Sequence, residues 1–158
     1  MKYLLIIALT LTTLVSSVSA NSWSFTKEDY NAMTKEQKYV LLMAKRIGEY
    51  HGLGNNLAKI VGVETRFGLI PSRNDRYCGP MQIAREYHDD ITCNALEDNL
   101  YLSMEIAALE MKNWLKTHNN NLKKAFVSYN RGFMVSTHDE EYLRRINMVG
   151  AVLKSVGI

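Results

Sequence analysis

The sequence predicts a mainly α-helical domain with one short irregular or β-hairpin insertion near residues 69–83. Three observations carry this. Apolar residues recur at helical spacing along most of the chain after residue 34. Between two such stretches, Leu69 to Ile83 gathers Pro71, Ser72, Asn74, Asp75, Gly79 and Pro80, which bar a regular helix. The chain has 158 residues, enough for one domain with a core but not comfortably for two. With 47% hydrophobic and 22% charged residues the composition is globular, which excludes a disordered or low-complexity chain.

The first twenty residues stand apart. Lys2 gives a positive start, Tyr3 to Val15 form an apolar run broken by Thr10, Thr12 and Thr13, and small residues follow as far as Ala20. This pattern reads as a secretory signal at residues 1–20, cleaved after Ala20 to leave a domain at residues 21–158. The competing reading, a membrane anchor, suffers from a run too short to span a bilayer. No later segment is apolar enough to cross one, so the expectation is an exported, periplasmic or secreted protein with no membrane span once the signal is removed.

The first helix of that domain is expected from Thr34, which opens a capping box with Gln37, and from Val40, Leu41, Ala44 and Ile47 on one face. Gly52 is a stop, and Gly54, Asn55 and Asn56 make a turn and a new cap. Leu57, Ile60, Val61 and Glu64 share a face of the next helix, which Gly68 can end. After the irregular insertion the longest helix is expected, with Asn94 and Glu97 as its cap pair. Leu100, Met104, Ala107, Met111 and Trp114 form its stripe, read as core packing. His118 to Asn121 breaks it. A shorter helix follows from Leu122 to Tyr129. The last opens at Thr137 with Glu140 as box partner and carries Tyr142, Ile146, Val149 and Leu153 on one face.

Cys78 and Cys93 are the only cysteines. Export to an oxidising compartment favours their pairing, so a Cys78–Cys93 disulfide is expected in preference to free thiols. A zinc site would have to recruit His88, and that spacing matches no standard ligand pattern. The formal net charge is +3, falling by one to +2 when Lys2 leaves with the signal. This mild basicity suits a polyanionic surface and argues against nucleic acid as a partner. Lys123-Lys124 and Arg144-Arg145 read as solvated positions. The sequence carries no HExxH pattern, paired CxxC or phosphate-binding glycine loop, so no metal or cofactor is expected. His51, His88, His118 and His138 are scattered and read as surface or capping residues.

Glu64 draws attention because it lies on the apolar face of its helix. Burial favours the protonated carboxyl and raises its pKa from about 4.3. A carboxylic acid that keeps its proton near neutral pH is what glycoside cleavage needs, since the leaving oxygen must be protonated. Position alone also fits a helix-end glutamate turned to solvent or paired with Lys59 or Arg66.

Four segments around Glu64 then fall in order. Residues Ile60 to Gly68 give an apolar helix closing on Glu64-Thr65, followed by Phe67. Gly79-Pro80-Met81-Gln82-Ile83 comes next, then Ala125 to Gly132 with Tyr129-Asn130 inside it, and finally Tyr142. This set resembles the lytic transglycosylase family, whose motifs are a catalytic Glu-Ser at a helix end, Gly-Leu-Met-Gln, Ala-Tyr-Asn-x-Gly and a late tyrosine. The likeness runs from about Leu57 to Val149. It implies a lysozyme-like helical fold and cleavage of peptidoglycan glycan strands between N-acetylmuramic acid and N-acetylglucosamine.

The resemblance also implies roles. Glu64 is the single catalytic acid and then base. Met81 and Gln82 line the glycan groove, Tyr129 and Asn130 place the N-acetyl group, Tyr142 orients Glu64 by a hydrogen bond, and Thr65 completes the substrate-binding set. Thr65 stands where serine is usual, Pro80 for leucine, Arg131 for a small residue, and Phe133 where proline is common. A hydrolytic muramidase is the nearest alternative. It needs a second carboxylate, for which Asp75 is the first choice ahead of Asp89 and Asp90. A non-catalytic wall-binding or inhibitor protein is the other. The expected protein is a monomer, and a secretion, conjugation or phage assembly is compatible with its size.

Overall fold

A computed structural model describes residues 23–68, 76–133 and 139–158. The expected signal, Asp75, the Thr137 cap and His138 lie outside the described residues. Within them the protein is mainly α, with seven α-helices, one 3₁₀ turn and one antiparallel hairpin.

The first helix, α1 (Lys27–Asn31), has a capping box of its own, in which Thr26 and Asp29 exchange bonds of 3.2 and 2.7 Å. Helix α2 (Lys35–Tyr50) opens on the expected Thr34–Gln37 box and buries Leu41, Ala44 and Ile47. Helix α3 (Asn56–Thr65) is buried on almost every side, from Leu57 through Val63 to Thr65. The expected Asn55 cap makes no side-chain cap bond; Asn56 instead accepts from Lys59 Nζ at 3.0 Å.

Gly68 is the expected end of α3, but the helix stops three residues earlier. Arg66, Phe67 and Gly68 all take left-handed backbone, with φ of 51°, 61° and 81°. The Arg66 and Phe67 N–H groups both reach back to the Val61 carbonyl, the latter at 3.2 Å, and close the helix end. Two non-glycine residues at positive φ are costly. The offset lies in Phe67, whose ring is driven into the core beside Phe25 at 5.6 Å between centroids. Gly62 makes room for this: a Cβ there would sit 2.8 Å from the Phe67 ring and 2.9 Å from Val149.

The hairpin pairs β1 (Tyr77–Cys78) with β2 (Ile83–Ala84), placing Tyr77 opposite Ala84 and Cys78 opposite Ile83. It lies at the C-terminal edge of the predicted insertion. A 3₁₀ turn (Arg85–Tyr87) leads to α4 (Cys93–Asp98), which Thr92 caps at 3.2 Å through the Ala95 N–H. The expected cap of the long helix at Asn94 and Glu97 is therefore corrected, because those residues lie inside α4. Helix α5 (Leu100–Thr117) starts at Asn99, whose side chain accepts from the Leu102 N–H at 3.0 Å. Asn121 caps α6 (Leu122–Arg131), and α7 (Asp139–Ser155) buries Tyr142, Ile146, Val149 and Leu153.

Helix α3 packs between α2 and α7, while α5 packs against α2, α4 and α6. These contacts enclose one apolar cluster. The Cys78–Cys93 disulfide joins β1 to the start of α4. Closing a loop of this length contributes about 3 kcal/mol in the chain-entropy view. Among the described residues no helix is long and apolar enough to cross a membrane.

Arg144 and Arg145 are not simply solvated. Arg144 forks onto Glu141 at 2.6 and 2.8 Å and donates to the Trp23 carbonyl at 3.0 Å. Arg145 and Arg66 both lie against the Trp23 ring, at 5.5 and 5.6 Å. Together they fasten the segment before α1 across α3 and α7.

Candidate active site

The end of α3 delivers Glu64 to a cleft of about 770 Å³, which Gln82, Tyr129 and Asn130 also line. Glu64 is half-buried, on a helix whose neighbouring residues are buried. From the facing side of α7, the Tyr142 hydroxyl donates to Glu64 Oε1 at 2.8 Å. Tyr142 is buried, and burial, followed by the charge and hydrogen bond of Glu64, holds its phenol well above the usual range. Near neutral pH it is therefore a proton-bearing donor. Lys59 and Arg66, the partners suggested by position, donate to Asn56 and to the Ser24 carbonyl.

The turn from Gly79 to Gln82 is the hub that joins the separate segments. Thr65 Oγ1 donates to the Pro80 carbonyl at 2.8 Å and accepts from the Gly68 N–H at 2.9 Å. The Tyr129 hydroxyl donates to the Met81 carbonyl at 2.9 Å. Gln82 folds back on Gly79 O with both its backbone N–H and its Nε2, each at 3.0 Å. Gly79 is required at its place: its φ is 68°, and a Cβ would meet the Leu96 carbonyl at 2.7 Å. Thus the helix end bearing the acid, the hairpin turn and the end of α6 are tied through backbone carbonyls.

This geometry revises two of the expected site residues. The Met81 side chain is 0% exposed and that of Thr65 1%, so neither lines the cleft. Met81 fills the core and offers only its carbonyl; Thr65 fastens the hairpin turn to α3. Gln82, Tyr129 and Asn130 do face the cleft, and Tyr142 stands behind Glu64. Burial first, then the charges of Glu110 and Glu64, raises the Tyr129 phenol well above 10, so it too keeps its proton.

Several cleft residues carry no local motif. Glu110 and Glu86 line the same cleft as Glu64. His88 Nε2 lies 2.6 Å from Glu110 Oε1. Burial raises the Glu110 carboxyl above its ordinary value, against the opposing pull of His88. His51 is likewise engaged with Glu105 at 2.8 Å, and His118 with Ser128 Oγ at 2.7 Å. The described histidines stand at the C-caps of α2, the 3₁₀ turn and α5, as expected of capping residues, and each also joins its cap to a side chain distant in sequence. Trp114, expected as core packing, does pack against the core while partly buried, and it also lines the cleft. Asp89 and Asp90 are exposed and do not line it.

Comparisons with models of protein families, with curated proteins and with solved structures found no match. The chemistry therefore rests on the cleft itself. Its parts are a half-buried carboxyl on a rigid helix end, a phenol that can only donate to it, and amide side chains suited to hydroxyl and acetamido groups.

Proposed function

We propose that the protein is an exported peptidoglycan lytic transglycosylase in which Glu64 is the single general acid and base. The observation that carries this reading is the Tyr142 hydroxyl at 2.8 Å from Glu64 Oε1 beside an open cleft. The ordered motifs support it, since Glu64, Gln82, Tyr129 and Asn130 all border one space. Glu64 protonates the glycosidic oxygen between N-acetylmuramic acid and N-acetylglucosamine. The substrate's own acetamido group stabilises the positive carbon, and Tyr129 and Asn130 hold that group in place. The Glu64 carboxylate then takes the proton of the muramyl C6 hydroxyl, whose oxygen closes the 1,6-anhydro ring. Tyr142 donates throughout and favours the carboxylate that forms midway.

Replacement Glu64→Gln keeps the shape and removes the transferable proton. Turbidity clearing of purified cell walls is expected to fall by about 10²–10⁴-fold, the usual weight of a positioned acid–base group. Clearing that survives the change overturns the reading.

One observation favours hydrolysis as a second reading. Glu110 is a partly buried carboxyl in the same cleft, and both it and Glu64 bear electrostatically on Tyr129. A water-activating carboxylate of this kind is what a muramidase needs. Under hydrolysis Glu110→Gln abolishes clearing and the wild-type products carry reducing ends.

A further inference from the structure

We infer that Tyr87 and Phe133 form an aromatic clamp that grips one pyranose ring of the glycan, at a subsite of the cleft set by α5. The inference rests on the proposed glycan substrate. Both rings line the Glu64 cleft, yet they are 67% and 80% exposed. Large apolar rings left open to water at a cleft mouth mark a ligand surface rather than packing. Each comes from a different wall. Tyr87 ends the 3₁₀ turn, and Phe133 follows the end of α6. The walls come close: the Tyr87 hydroxyl lies 3.8 Å from where a Gly132 Cβ would stand.

Both jaws are braced from one face of α5, by residues four apart. Glu110 holds His88, the residue after Tyr87, at 2.6 Å. Trp114 meets the Phe133 ring edge-on at 4.9 Å and lies against His118 at 6.2 Å. His118 is fixed in turn by Ser128 at 2.7 Å. A hexopyranose suits such jaws because its axial C–H groups make an apolar face that stacks on an aromatic ring. Its equatorial hydroxyls and acetamido group reach outward to Asn113 and Asn130, which also line the cleft. Braced rings cost little entropy to order on binding.

The chain has two tryptophans, and the other, Trp23, lies between Arg66 and Arg145. Trp114 fluorescence in a Trp23→Phe background therefore reports on Phe133. Titration with a β-1,4-linked N-acetylglucosamine tetramer is expected to give a saturable change. The Kd should rise about tenfold in Phe133→Leu and in Tyr87→Ala, and be retained in Tyr87→Phe, as the loss of one stacked ring predicts. Intrinsic fluorescence of the chain with Trp23 intact, read as a difference on ligand addition, serves if the background variant folds poorly. An unchanged tetramer Kd in both ring variants, with Glu64-dependent clearing intact, overturns the clamp and leaves the catalytic reading standing. A response to the stem peptide in place of the tetramer also overturns it. Ring-dependent tetramer binding in a chain that clears no wall supports the clamp and removes the lytic reading.

Discussion

Glu64 and Tyr142 are 78 positions apart in the chain and 2.8 Å apart in space. The contact assigns the tyrosine one task, since a buried phenol that keeps its proton can donate to the carboxylate and do little else. Tyr142→Phe removes a hydrogen bond to a charged group, worth about 1.5–3 kcal/mol, so kcat should fall by about 10–100-fold. Because Tyr142 does not line the cleft, KM should hold. Steady-state kinetics on a soluble glycan fragment separates the two. Next to it, Glu141 is held down to about 2 by hydrogen bonds from Arg144 and then Arg145. Its folded value lies below the unfolded one of about 4.3, so its stabilising contribution is complete above that pH and is lost as pH falls towards 2. Glu141→Gln should therefore flatten the decline of the thermal midpoint between about pH 4.3 and pH 2, measured by circular dichroism. At this scale the sequence points to Glu64 through the ordered motifs around it, because its position alone fits an ordinary helix-end glutamate. It conceals Glu110, whose partner His88 is 22 residues away and shares no pattern with it.

The helix ends and the hairpin turn show which local signals are legible. The Thr34–Gln37 box stands at the start of α2 as its spacing predicts, and the stripe from Leu100 to Met111 runs along α5. Thr26 and Asp29 carry the same kind of signal over too short a helix for periodicity to reveal it. The break between α4 and α5 has neither Gly nor Pro; Asn99 makes it with φ −116° and ψ 88° and then caps α5. The end of α3 is not legible at Gly68, because burial of Phe67, a tertiary effect, forces left-handed backbone before that glycine is reached. Two predictions belong here. Gly79→Ala places a methyl against the Leu96 carbonyl in a left-handed position, and should lower stability by more than about 1–3 kcal/mol in urea unfolding. Replacing both cysteines by serine releases β1 from α4 and should cost about 2–5 kcal/mol, read in the same assay.

Across the whole molecule, the ends of α3 and α6 and the hairpin turn are held by side chains bonded to main-chain carbonyls. Thr65 meets Pro80 and Tyr129 meets Met81, so the cleft is a property of the assembled core and not of any one loop. That arrangement explains why Met81 and Thr65 belong to the motif while their side chains are closed off from the cleft. Thr65→Val, which keeps the shape and removes the hydroxyl, is expected to loosen the hairpin turn and lower activity, while Thr65→Ser retains it; wall clearing by the two variants compares them. The mainly α class and the place of the hairpin could be read from the sequence, because periodicity and turn residues are local. The cleft's aromatic mouth could not, because Tyr87, Trp114 and Phe133 meet only when the turn after β2, α5 and α6 pack together. The most direct test of the central claim is mass spectrometry of the soluble products of cell-wall digestion. The account predicts muropeptides ending in 1,6-anhydro-N-acetylmuramic acid from the wild-type chain and none from Glu64→Gln. Reducing N-acetylmuramic acid ends, or anhydro products that persist in Glu64→Gln, would contradict it.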